Sequence, residues 1–114
     1  MTYRDDALRL ADITAAIEAI RSHVRYGDLS EGIVFDAVRI RLVEIGEAVK
    51  AISADLLNTE PSIPWKDIAG MRDNLAHRYF DTSHAIVKGT VDNDLDELAE
   101  AVHRLAERAS RDEN

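Results

Sequence analysis

Cysteine is absent from the 114 residues. That excludes a disulfide framework, a thiolate nucleophile and a cysteine-ligated zinc or iron–sulfur centre, and it fits a reducing compartment. Proline and glycine are scarce, at 2 and 5 residues, while 46% of the chain is hydrophobic. This is the composition of a globular domain rather than a disordered chain. No apolar run approaches the roughly 18 residues that a membrane span needs. The stretch from Met1 to Leu10 is charged from Arg4 to Asp6 and lacks the apolar segment of a secretory signal. These absences predict a cytoplasmic protein with no membrane partner. A P-loop, a dinucleotide fingerprint and a serine nucleophile elbow are also missing.

Basic residues are outnumbered 14 to 22, giving a net charge of −8. Phosphate contacts supply most non-specific nucleic-acid affinity, so an acidic chain binds nucleic acid only through a local site.

What is present is helical periodicity. Leu10, Ile13, Ile17, Ile20 and Val24 recur every three or four positions, and Gly27 and Asp28 punctuate the end of that helix. Asp28 or Ser30 suits the cap of a second helix. Its stripe Val38, Leu42, Ile45, Val49, Ile52 and Leu56 is joined by Val34, Ile40 and Val43 on other sides. So wide an apolar arc implies two neighbours, or one neighbour and a second subunit. Gly46 lies inside this helix, where glycine costs about 1 kcal/mol against alanine and so often marks a close helix–helix approach.

Pro61 and Pro64 break the pattern, and a third helix is expected from about Pro64 to Tyr79. A last helix begins with Ile86, Val87 and Val91 and continues with Leu95, Leu98, Val102 and Leu105. Gly89 and Asp92-Asn93-Asp94 are placed to bend or split it near Asn93, and residues after about Ala109 are expected to fray. No segment alternates with period two. The fold class is all-α: one domain over 1–114, a bundle of four helices, or five if the last is split.

The chemistry-bearing stretch is Met71-Arg72-Asp73-Asn74-Leu75-Ala76-His77-Arg78-Tyr79. With Ile68 as origin and about 100° per residue, Met71, Leu75 and Tyr79 lie within about 60° of it, Arg72 borders that stripe, and Asp73 and His77 point about 140° and 180° away. His77 is therefore expected outside the core, one helical turn from Asp73. Each residue also has an ordinary explanation: a solvated surface histidine, an arginine laying its stem on apolar surface, a tyrosine at the core edge with its hydroxyl in water. His77, Asp81 and His84 are a conceivable metal set, but their spacing matches no standard zinc pattern. No metal or cofactor is expected. Asp92, Asp94, Asp96, Glu97 and Glu100 read as a solvated face. His23 suits the end of the first helix, and His103 a charged helix face.

Arg72 to Tyr79 reads R-x4-H-x-Y. With Ile45-Gly46-Glu47-Ala48 before it, and Pro61-x-Ile63-Pro64-Trp65-x-x-Ile68-x-Gly70-Met71 leading into it, it resembles the HepT-like toxins of the HEPN superfamily over nearly the whole chain. Asp73 departs from the polar asparagine often found there. The resemblance implies a HEPN-type bundle that forms a homodimer, with two copies of the motif helix meeting at the two-fold. It implies a toxin of a toxin–antitoxin system acting as a metal-independent endoribonuclease. In that mechanism the RNA 2′-hydroxyl attacks the adjacent phosphorus. His77 would act as general base or acid, Arg72 would stabilise phosphoryl charge, and Asp73 or Asn74 would orient His77 or the substrate. It further implies a minimal nucleotidyltransferase antitoxin that transfers AMP to Tyr79. Lys66, Arg72 and Arg78 would supply the local basic patch for RNA. The alternative is a non-catalytic helical partner of a nucleotidyltransferase, with Arg72 and His77 only holding nucleotide or phosphate. A plain dimerisation bundle is a third reading that periodicity also allows.

Overall fold

The stripe that starts at Leu10 builds α1 (Arg4–Tyr26), burying Leu10, Ile13, Ile17 and Ile20, in a computed structural model. The structure describes residues 3–77 and 80–113, and side chains outside 76–84 and 112–113. The helix begins six residues ahead of Leu10. Asp5 and Asp6 occupy its first turn, where the helix dipole favours carboxylates. Asp6 is buried, and its Oδ1 accepts the Ser53 N–H at 3.0 Å. The Tyr3 hydroxyl donates to Asp55 at 2.7 Å. Two contacts thus fasten the start of α1 to a corner some fifty residues later.

Neither Asp28 nor Ser30 caps the second helix. The Asp28 carboxylate accepts the Ser30 N–H at 2.7 Å, closing a local turn, and α2 (Gly32–Ala51) follows Glu31 with no side-chain cap. The spacing predicts a helix as far as Leu56, but α2 stops five residues earlier. Ile52 is extended and Ser53 has also left the helical region, with ψ of 144° and 131°. The Ser53 N–H has left the helical ladder for Asp6. Leu56 is buried all the same, carried by the single turn α3 (Ala54–Leu57). The apolar positions were legible; the break coincides with a hydrogen bond to a carboxylate on another helix.

Helix α2 runs between α1 and α4 (Trp65–His77), which explains most of its wide apolar arc. Val34 is buried within this chain, so it does not need a second subunit. Ile33 and Ile40 do remain exposed, at 83% and 49%.

The connection from α3 to α4 turns on Glu60, whose residue is only 7% exposed. Its Oε1 accepts from Arg104 at 2.6 Å and its Oε2 from Arg108 at 2.6 Å. Its carbonyl accepts the buried Trp65 indole N–H at 3.0 Å. The proline-bounded turn is thereby tied both to the last helix and to the first residue of α4, which begins just after Pro64.

The chain then forms α5 (Phe80–Gly89), a π-helical turn at Thr90–Asp94, and α6 (Leu95–Glu113). The interruption expected near Asn93 is this π turn. The Thr90 hydroxyl donates back to the Ile86 carbonyl at 2.8 Å, a contact that bends helices, and Lys88 pairs with Asp92 at 2.7 Å. Leu95, Leu98, Val102, Leu105 and Ala109 bury the inner face of α6 against the core it shares with α1. Arg21 of α1 pairs with Asp96 at 2.7 Å. Helix α6 runs as far as Glu113. The described residues contain no strand, and no helix among them is long and apolar enough to cross a membrane. The architecture is an all-α bundle.

Gly46 sits where α2 meets α4. A Cβ there would stand 2.9 Å from the Ile68 carbonyl oxygen and 3.2 Å from the Arg72 backbone nitrogen. Gly46→Ala gains helix propensity of about 1 kcal/mol yet forces two backbones apart, an overpacking cost of about 1–3 kcal/mol. A net loss of stability is expected in urea unfolding.

The Arg104 hydrogen bond lowers the Glu60 pKa from 4.5 to about 2; burial opposes the shift and Arg108 adds to it. A carboxyl that binds its proton less readily when folded stabilises the fold above its unfolded pKa and loses that contribution as pH falls. Stability should therefore decline as the pH drops from about 4.5 toward about 2. In Glu60→Gln, thermal melts should start lower at neutral pH and fall less steeply across that window.

Candidate functional site

Helix α4 presents the motif. Its inner face is Met71 and Leu75, both buried, with Ile68 half-buried, as the spacing predicts. Arg72, Asp73 and Asn74 are exposed on the same turn. The Arg72 side chain is 50% exposed, which agrees with a position bordering the core stripe.

Three contacts hold this helix in place. Trp65, its first residue, is anchored by the Glu60 carbonyl. Its middle lies against α2 at Gly46. Near its end, Arg39 of α2 donates to the Leu75 carbonyl at 3.3 Å. The backbone of α4 is thus held at three points between Trp65 and Leu75.

The electrostatic surroundings of Arg72 hold the main surprise. Its Nε forms an ion pair with Glu47 of α2, and its Nη1 lies 3.5 Å from Asp73. Sequence reasoning did not assign Glu47 a place in the site. A usable signal existed, because Glu47 follows Gly46, and a glycine marking a close approach also delivers its neighbour to the facing helix. Asp73, expected as a partner of His77, stands beside Arg72.

The His77 side chain, Arg78 and Tyr79 lie outside the described residues, as do the side chains of Asp81 and His84. The Asp73–His77 pair, the Tyr79 hydroxyl and the His77/Asp81/His84 set therefore belong to that unseen part. Of the expected basic patch, Lys66 is exposed on α4, and Arg72 is flanked by carboxylates. Among the described residues no group of His, Asp or Glu is arranged to hold a metal ion. Asn74 lines a cavity of about 340 Å³ between α4 and the α5–α6 segment, floored by Ile68, Met71, Ile86 and Leu98.

Elsewhere the polar groups have structural roles. His103 is exposed and pairs with Glu107 at 3.0 Å. His23 is in the last turn of α1, where a basic residue suits the dipole. The acidic residues from Asp92 to Glu100 are exposed, and two of them, Asp92 and Asp96, pair with Lys88 and Arg21.

Comparison with known proteins places this helical frame in a family. The model of the family described as "Ribonuclease HepT-like" matches residues 12–105. A Methanocaldococcus jannaschii protein named "Putative RNase MJ0125" is 35% identical over 109 residues, covering 92% of this chain and 94% of that protein. A second from that organism, "Putative RNase MJ1216", is 32% identical over the full chain and 98% of its own length. "Probable ribonuclease HepT" of Thermococcus cleftensis is 36% identical over 100 residues, 84% of this chain and 91% of that one. No solved structure is a significant match. The match spans the motif helix and the helix packed against it, and the chain belongs to the HepT-like ribonuclease family.

Proposed function

We propose that this protein is the toxin of a toxin–antitoxin pair and cleaves RNA without a metal. Its site would be composed of Arg72 and His77 from two copies meeting at a two-fold axis. The observation that carries this reading is the outward presentation of Arg72 on a rigidly held α4, in a chain of the HepT-like ribonuclease family.

The chemistry follows from the residue types. The RNA 2′-hydroxyl attacks the adjacent phosphorus, the bond to the 5′-oxygen breaks, and a 2′,3′-cyclic phosphate and a 5′-hydroxyl result. His77 takes the 2′-hydroxyl proton or supplies one to the leaving oxygen; a dimer would provide one histidine for each task. Arg72 faces the phosphoryl oxygens as charge builds on them. Asp73 and Asn74, neighbours on the same turn, orient His77 or the substrate. One arginine between two carboxylates leaves this part of the surface net negative. A second copy brings its own Arg72, Glu47 and Asp73, so a protonated His77, Lys66 and Arg78 of both copies would supply the balancing positive charge. The exposed Ile33 and Ile40 of α2 provide apolar surface for a second copy to cover.

Neutralisation would come from a minimal nucleotidyltransferase antitoxin transferring AMP to Tyr79. Two residues from His77 in sequence, a phosphodiester-linked nucleotide would put negative charge where the RNA phosphate must sit.

The alternative, a non-catalytic partner that holds nucleotide or phosphate, draws on the carboxylates flanking Arg72 and on the −8 net charge. Both readings accommodate a nucleotidyltransferase, so cleavage decides between them. His77→Ala should abolish RNA cleavage and growth inhibition while its thermal melt stays close to that of the wild type. Full toxicity in that variant would remove His77 from the mechanism. Co-expression with the nucleotidyltransferase should add whole AMP units to the intact mass, all mapping to the Tyr79 peptide. An unmodified Tyr79 beside an active transferase would end the neutralisation scheme.

A further inference from the structure

We propose that Glu47 is a positioning residue for Arg72: it grips the guanidinium through Nε and so directs the remaining donors toward the phosphate. This rests on the ribonuclease reading above and adds to it a residue from the neighbouring helix.

A guanidinium offers two forks for bidentate binding, one along Nε and Nη2 and one across the two Nη nitrogens. Glu47 occupies Nε, which closes the first fork. Asp73 stands 3.5 Å from Nη1, beyond ordinary hydrogen-bond range, so it biases the charge without claiming the donor. The fork across Nη1 and Nη2 is then the one left to bind a phosphate. Without Glu47 the long Arg72 side chain, half exposed to water, would sample many rotamers and offer either fork.

The grip is precise because its base is rigid. Glu47 follows Gly46, the residue whose missing side chain lets α2 lie against the Ile68 carbonyl and the Arg72 nitrogen. Arg39, two turns earlier on α2, clamps the Leu75 carbonyl. The two helices cannot slide without breaking these contacts, so the Glu47 backbone is held beside Arg72, within reach of its Nε. Both side chains of the pair are half exposed, and such pairs add little to stability. Its consequence lies in orientation.

The test combines kinetics on a fluorogenic single-stranded oligoribonucleotide with the ¹⁵N NMR signal of the Arg72 Nε–H. Glu47→Ala should lower kcat about 10- to 100-fold, the scale of loss for a misplaced catalytic group, with KM changed little. Glu47→Gln keeps an acceptor oxygen at the same reach and should recover most of that rate. Adding Glu47→Ala to Arg72→Ala should cost nothing further, because Glu47 acts only through Arg72. The Arg72 Nε–H should exchange slowly with water in the wild type and in Glu47→Gln, and rapidly in Glu47→Ala. An active wild type with Glu47→Ala equally fast would overturn the inference, as would a further loss in the double variant. A wild type that cleaves no RNA would defeat the ribonuclease reading instead. In that event the Nε–H exchange still decides whether Glu47 holds Arg72, and equal exchange in wild type and Glu47→Ala refutes it.

Discussion

At Gly46 two helical backbones come so near that a methyl group would sit 2.9 Å from a carbonyl oxygen. That close approach organises much of what surrounds it. It draws α4 against α2 at Arg72, brings Glu47 to the arginine, and sets α2 at the distance from which Arg39 reaches the Leu75 carbonyl. The helix could not use alanine here, its best helix former, without separating the pieces of the site. A small loss of intrinsic helix propensity is exchanged for a fixed relation between two elements, which sites requiring sub-ångström placement depend on.

Rigidity at the seam is completed from a distance. Glu60, held by Arg104 and Arg108 of α6 and giving its carbonyl to Trp65, fixes where α4 begins. The α1 terminus is joined to the far end of α2 through Asp6 and Ser53. The polar contacts that matter to the architecture are thus few, long-range in sequence and placed at element ends. The apolar stripes fill the volume between them. Some surface charges, by contrast, are paired locally, as with Lys88 and Asp92 or Arg41 and Glu44.

This division explains what could be read from the residues. Helical stripes have a period, so Leu10 to Ile20, the Met71 and Leu75 face, and the stripe from Leu95 to Leu105 were all visible in one dimension. Gly46 was legible as a close approach because glycine is expensive in that setting. The split of the last helix was legible from Gly89 and the acidic run, though not its π-helical form. The end of α2 was not legible, because Asp6, which takes the Ser53 N–H, lies 47 residues away. Nor was the Arg72–Glu47 pair, which joins two helices and has no local pattern. The motif was recognisable by family resemblance, and the family match agrees with it. What each motif residue does is a question of three-dimensional charge and access, which spacing leaves open.

The strongest constraint on the mechanism is electrostatic. An acidic protein whose site arginine sits between two carboxylates is poorly suited to hold RNA by charge alone. On the proposed function, activity would come from a few donors fixed in the right places rather than from broad attraction. In the proposed mechanism the 2′-hydroxyl of the substrate is the nucleophile, and no metal ion is needed to generate one. The most direct test is to incubate unmodified protein with a single-stranded RNA in excess EDTA, beside the same sequence with every 2′-hydroxyl removed. The account predicts that the RNA is cut to fragments ending in 2′,3′-cyclic phosphate and that the deoxy strand is untouched. Cleavage of the deoxy strand, or loss of RNA cleavage on adding EDTA, would contradict it.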